Sequence, residues 1–167
     1  MPQYSAIHTD VGLDLMAQAQ AMGAQIALAD IAVGDGGGQS VVPNAGQTGL
    51  VRERYRASID RIYQPDPVGF PTKFAATMNV PAAVAGFVMR EVGLYDAEGR
   101  LFVVANTPHV TKPHADDGSI LDAVVRVEFI VSNAALVDLL IDPAVVMASQ
   151  QWVARYLDDR LATLGLA

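Results

Sequence analysis

His109, His114, Asp116 and Asp117 have side chains of the types that hold a divalent cation. Their spacing fits no closed-site pattern, and polar loops gather such residues, so Pro108–Gly118 reads as a solvated loop. Gly34-Asp35-Gly36-Gly37-Gly38 follows an apolar run and invites comparison with a phosphate loop. Such a loop needs Gly-Lys-Ser/Thr entering a helix, so that backbone N–H groups and an ammonium meet the phosphates. Here Gln39-Ser40-Val41-Val42-Pro43 follows; the Lys is missing and Pro43 opposes a helix, so a turn is expected. Arg52, Arg54 and Arg56 alternate and can form a binding patch. Glu53, Asp60 and Asp66 lie nearby to offset them, so the row reads as the wet face of a strand.

Nucleophilic catalysis needs a Ser or Thr, a His base and an orienting acid. The chain has no Gly-x-Ser-x-Gly elbow; its His residues are His8, near the terminus, and two in one loop. The carboxylate pairs Asp116–Asp117 and Asp158–Asp159 fall in a loop and on a polar helix face, where nothing raises a carboxyl pKa. The absence of Cys removes disulfides, thiolate metal sites and thiol chemistry together. A net charge of −7 argues against nucleic acid and against an anionic membrane surface as partners. Of the 11 basic residues only Lys73 and Lys112 are lysines, and arginine favours fixed bidentate contacts. Apolar residues make 51% of the chain and charged ones 17%, a surplus that points to assembly contacts. No apolar run is long enough to span a bilayer, and the N-terminus has no signal-peptide pattern. The expected class is a binding or assembly module without a cofactor or catalytic metal.

The supporting elements follow from periodicity. Thr9 or Asp10 caps a helix whose stripe is Val11, Leu15, Ala19 and Met22, with Gly23 as its C-cap. That stripe suits a helix laid over a sheet; a docking helix is the alternative. Strands are expected at 26–33, 52–63, 70–80 and 87–95, the last returning through Asp96-Ala97-Glu98-Gly99 into 100–106 as a hairpin. Over 120–131, Val125, Val127, Phe129 and Val131 point one way, and Val124, Arg126, Glu128 and Ile130 the other. A last strand is expected at 135–141. The fold class is α+β, an antiparallel β-rich body with a helix at each end.

The body runs over residues 1–146 and a C-terminal helical segment over 147–167. Ser149 caps the final helix, in which Ala154, Leu157, Leu161 and Leu164 step by three, four and three; Met147 and Gln150 extend the register backward. The pattern alone fits a short coiled-coil seam and a helix packed on its own domain equally.

Several segments, in order, resemble a known family. They are Leu13-Asp14-Leu15, Ala32-Val33-Gly34-Asp35-Gly36, Gln47-Thr48-Gly49-Leu50-Val51, Arg54-Tyr55-Arg56-Ala57 and Val80-Pro81. Then come the stretch Gly86–Gly99, which is the most specific, and Val104-Ala105-Asn106, Thr111-Lys112-Pro113 and Val131-Ser132-Asn133. Leu140-Ile141-Asp142-Pro143 and Ala148-Ser149-Gln150-Gln151-Trp152-Val153 complete the series. The chain is similar in this way to the N-terminal baseplate-attachment domain of phage tail fibres, the tail-collar fibre domain of contractile-tailed phages and R-type pyocins. Phe87-Val88-Met89 stands where relatives often carry a Trp, and Thr107 where they often carry a Cys.

The resemblance implies a structural virion protein of the tail, made in the bacterial host cytoplasm. It implies a homotrimer whose C-terminal helices meet through Ala154, Leu157, Leu161 and Leu164, and a baseplate wedge protein as partner. The chain is then either the anchor of a longer fibre or a short adaptor to which a separate fibre shaft protein joins; the adaptor is the expected form. Two rivals remain: a virion-associated glycan hydrolase, which needs paired acids in a cleft, and a small binding domain unrelated to phage.

Overall fold

Apolar residues on nine strands among the described residues form two antiparallel sheets with a shared interior. A computed structural model describes residues 4–113, 122–141 and 161–165. In chain order the elements are β1 (Ala6–His8), α1 (Asp10–Met22), β2 (Leu28–Gly34), β3 (Glu53–Ser58), β4 (Arg61–Tyr63), β5 (Lys73–Val80), β6 (Phe87–Asp96), β7 (Leu101–Lys112), β8 (Ala123–Ile130) and β9 (Leu140–Ile141). One sheet has the order β1-β7-β6-β2-β3 and the other β8-β5-β4-β9.

The core lies between the sheets. Ile31, Val33, Val92, Leu94 and Val103 face it from the five-stranded sheet; Ile62, Phe74, Ala76, Met78, Val125, Val127 and Phe129 face it from the other. Val131 is also buried, while Val124 and Ile130 are exposed, so the predicted alternation of this stretch holds. Leu94 pairs with Val103 but Tyr95 pairs with Leu101, which leaves Phe102 as an extra, bulged residue. The bulge turns Phe102 inward, where its ring meets Phe129 of the opposite sheet edge-on at 5.9 Å. Leu101 and Val104 face outward into a smaller cluster with Ala32 and Tyr95, covered by Ile7 and Leu50.

Thr9 is the N-cap of α1, accepting from the Gly12 N–H at 2.9 Å. Gly23 ends the helix at φ 62°, while the Ala24 N–H reaches back to the Ala19 carbonyl. The buried face is Gly12, Leu15, Met16 and Ala19. Met22, expected in the stripe, is exposed, because the chain has already turned away at the cap. The helix lies over β7, and the Thr9 hydroxyl donates to the Leu101 carbonyl.

Three expectations need correction. The strand expected over 52–63 is two strands: β3 pairs with β2 in one sheet, β4 pairs with β5 in the other, and the chain changes sheets at Ile59-Asp60. The loop expected from Pro108 begins late, because β7 continues to Lys112 opposite Phe87. The last strand is mostly a 3-10 turn, Ala134–Leu136, capped by the Asn133 side chain; Val137 makes a single parallel bridge to Ile26, and Leu140–Ile141 pairs with β4. The Asp96–Gly99 hairpin is as expected, with Gly99 at φ 79° and the Asp96 carboxylate accepting from the Glu98 and Arg100 N–H groups.

Candidate functional site

The polar residues that the structure gathers most tightly sit where β2 ends. Gly34 closes β2, and Asp35 caps the glycine turn by accepting from the Gly37 N–H at 3.0 Å. Its carboxylate also takes Arg52 in a fork: Nε to Oδ1 at 2.7 Å and Nη2 to Oδ2 at 2.6 Å. Arg54 Nη1 reaches Oδ2 at 3.2 Å. Asp35 is buried, and the Arg52 guanidinium holds its carboxyl below the ordinary value, against the opposing effect of burial.

Glu91 on β6 is the second anchor and is fully buried. Its Oε1 accepts from Gly36 N at 3.2 Å and Arg52 N at 2.8 Å, and its Oε2 from Val51 N at 2.8 Å. A side chain at Gly34 has no room here: a Cβ would fall 2.5 Å from the Arg52 carbonyl oxygen and 2.8 Å from Glu91 Cγ. Arg90 Nη1 donates to the Asp35 carbonyl at 3.1 Å. The two carboxylates thus bind the glycine turn, the segment entering β3 and the middle of β6 into one knot.

This knot has the composition of an acid pair but not its chemistry. Each carboxylate oxygen is already engaged by at least one N–H donor, and Asp35 is held in its charged form. A general acid needs a proton at working pH, and a nucleophile needs an open lone pair with space in front of it. The arrangement supplies neither and works as a structural clamp.

The candidates raised by the sequence fare unevenly. Arg52 and Arg54 are offset by Asp35, not by Asp60 or Asp66, which instead accept backbone N–H groups from Asn79 and Gly69. Glu53 does pair, with Arg56 at 2.6 Å. His109 lies on β7 with its Nε2 3.3 Å from Ser40 Oγ; His114, Asp116 and Asp117 lie outside the described residues. Among the described residues no three of His, Cys, Asp and Glu stand close enough to hold a metal. Ala154 and Leu157 lie outside the described residues, as does the boundary at 146/147. Leu161 and Leu164 are exposed, with Leu161 in a helical turn that closes at Gly165. Asp35 and Glu91 were missed as partners. The available signal was a lone acid in each of two glycine-bearing apolar segments, Val33-Gly34-Asp35-Gly36 and Glu91-Val92-Gly93.

The knot is thus a structural clamp at one end of a two-sheet domain. Its family is shown by comparison: the chain belongs to the phage tail-collar fibre proteins, whose N-terminal model matches residues 1–151. It is 39% identical over 161 residues to the probable tail fiber protein of Escherichia phage P2, covering 96% of this chain and 23% of that protein. The chain therefore spans about a quarter of that relative's length. No solved structure matches it. A structural role in the virion tail follows, and the reading as a binding domain unrelated to phage is withdrawn. Among the described residues no helix is long and apolar enough to cross a membrane.

Proposed function

We propose that this chain is the tail-proximal anchor or adaptor of a fibre, joining a host-recognition fibre to a baseplate wedge protein as a homotrimer. The observation that carries this reading is the match of residues 1–151 to the N-terminal part of a fibre family. In this reading residues 1–146 are the attachment domain. Residues 147–167 bring three helices together through Ala154, Leu157, Leu161 and Leu164, where a separate fibre shaft protein can join. At ~25 cal/mol per Å² of apolar area, so short a seam adds several kcal/mol per trimer at most, so the β-rich body must share the contact.

The test is the native mass of the whole chain beside a Leu157→Asp, Leu161→Asp variant and a version ending at Ala148. A trimer that dissociates in both altered forms supports the seam. A trimer indifferent to both removes the seam from the account, and a whole chain that is monomeric up to high micromolar concentration refutes self-trimerisation. Co-purification with the wedge protein of the same phage tests the attachment separately.

A further inference from the structure

Beside the clamp, and sharing Arg90 with it, is a cleft of about 210 Å³ lined by Tyr4, Ser40, Val41, Asn106, Thr107 and His109 as well. Its floor is made by an irregularity in the β6–β7 ladder. Met89 pairs with Val110 and Glu91 with Asn106, so Thr107, Pro108 and His109 together oppose the single residue Arg90. A bulge of this size re-aims the side chains it carries, and Pro108 supplies no N–H to restore the ladder. Tyr4 and Ser40 form the opposite wall.

Arg90 and Thr107, which both line this cleft, each carry a buried polar atom without a hydrogen-bond partner, Arg90 Nε and Thr107 Oγ1. Buried donors are almost always satisfied, so two orphans on residues of one cleft need a cause. Arg90 is held by its Nη1, which donates to the Asp35 carbonyl at 3.1 Å. That contact leaves the Nε edge of the guanidinium aimed elsewhere. Arg52 shows what this edge binds in the same fold: its Nε and Nη2 grip the Asp35 carboxylate at 2.7 and 2.6 Å. None of the residues lining the cleft is acidic, and the nearby Asp35 carboxylate is already taken by Arg52 and Arg54. Asn106 is fixed across the cleft by Ser5 N–H to its Oδ1 at 2.8 Å and by its Nδ2 to the Val41 carbonyl at 3.2 Å, so the wall is built before any ligand arrives.

We propose that this cleft is a carboxylate-binding site, in which Arg90 receives the ligand oxygens on its Nε edge and Thr107 donates its hydroxyl to one of them. Both atoms are buried in the free protein, so a ligand reaches them only when the lining side chains shift. The carboxylate is either an acidic side chain of a partner protein or a free small carboxylate. The proposal does not depend on trimerisation, since every group it uses lies in one chain.

The test is a nitrogen-15 NMR titration of the whole chain with sodium malonate, and separately with N-acetyl-aspartate N-methylamide, against sodium chloride at matched ionic strength. The expected result is saturable shifts centred on Arg90, Thr107, His109 and the Arg90 Nε–H, absent with chloride. Thr107→Val removes the hydroxyl at nearly constant volume and should weaken binding about tenfold, equivalent to about 1.4 kcal/mol. Arg90→Lys keeps the charge but loses the planar fork and should weaken it at least as much. Tighter binding of the blocked aspartate marks a protein side chain as the source; tighter binding of malonate marks a free carboxylate. Shifts equal to those in chloride, or unchanged affinity in folded Thr107→Val, overturn the proposal in favour of a site filled by water.

Discussion

Gly12→Ala should destabilise this protein, although the same change in an exposed helix stabilises. Alanine exceeds glycine by about 1 kcal/mol in helix propensity, and Gly12 has ordinary helical surroundings on its own element. The opposing effect is contact with β7. A Cβ on Gly12 would lie 3.0 Å from the Phe102 carbonyl carbon and 3.2 Å from its Cα, and closer still to its oxygen. All three atoms are backbone and cannot rotate aside. The start of α1 would have to retreat on the order of 1 Å in a close-packed interior. Such a retreat strains Thr9 N–H to the Phe102 carbonyl, at 3.2 Å, Asp10 N–H to the Ala45 carbonyl, at 2.8 Å, and the Thr9 hydroxyl bond to Leu101. Overpacking costs about 1–3 kcal/mol and each weakened bond up to about 1 kcal/mol. Against the propensity gain, the net loss is about 2 kcal/mol. For a chain of this size that lowers Tm by roughly 4–8 °C. Thermal and urea unfolding would be followed by far-UV circular dichroism at one chain concentration. Ala17→Gly, on the exposed face, serves as the control and should lose only about 1 kcal/mol. A Gly12→Ala variant as stable as the parent would refute the close approach of helix and bulge.

Glu91→Gln keeps the size of the side chain but sets an NH2 against a backbone donor that now reaches a carboxylate oxygen, Val51 N–H if the amide oxygen replaces Oε1. Urea denaturation should show a loss of about 2–4 kcal/mol, with faster amide exchange at Val51; a loss under 0.5 kcal/mol would contradict the clamp. Asp35 gives a pH signature. Its folded pKa is depressed below 3.8, chiefly by the Arg52 hydrogen bond, so its stabilisation is complete above the unfolded pKa and lost as pH falls through the folded value. The stability gap between parent and Asp35→Asn should therefore be constant near neutrality and narrow below about pH 4; a gap that stays constant down to pH 2 would dismiss the ion pair as its source.

Local chemistry made much of this fold readable and long-range contact made the rest opaque. The α1 caps, the Asp96–Gly99 turn and the two faces of β8 depend on residues within a few positions, and each is as expected. Arg52–Tyr63 looked like one strand because it alternates over most of its length, although the apolar phase shifts between Ile59 and Ile62, where the chain changes sheets. That phase shift is the one local mark of the crossing; the contact that holds it is distant, since Asp60 accepts from Asn79, 19 residues away. Pro108 and His109 looked like loop because proline and polar residues favour loops; here they occupy a bulge inside a longer strand. The partner of the arginine row was missed for the same reason, since Asp35 lies 17 residues from Arg52 and Glu91 lies 39.

Two of the segments that carry the family resemblance are thereby explained by how they hold the fold together. Gly34-Asp35-Gly36 and Glu91-Val92-Gly93 meet in one clamp: Gly34 leaves space for Glu91, while Asp35 and Glu91 consume N–H groups that would otherwise be stranded at the turn. Gly93 has a similar duty on the outer face, where a Cβ would lie 2.8 Å from the Tyr95 ring and 2.9 Å from Leu101. The clamp fastens the turn after β2 to β6 and to the segment entering β3, across separations of 55 and 39 residues. A single substitution at Glu91 therefore loosens three segments together. A sheet end fastened by charge-assisted bonds resists peeling better than one closed by a bare glycine loop, a property suited to the load-bearing role proposed above. Arg90, which touches the clamp through its Nη1 alone and keeps its Nε unpartnered, is the group on which the proposed carboxylate site depends.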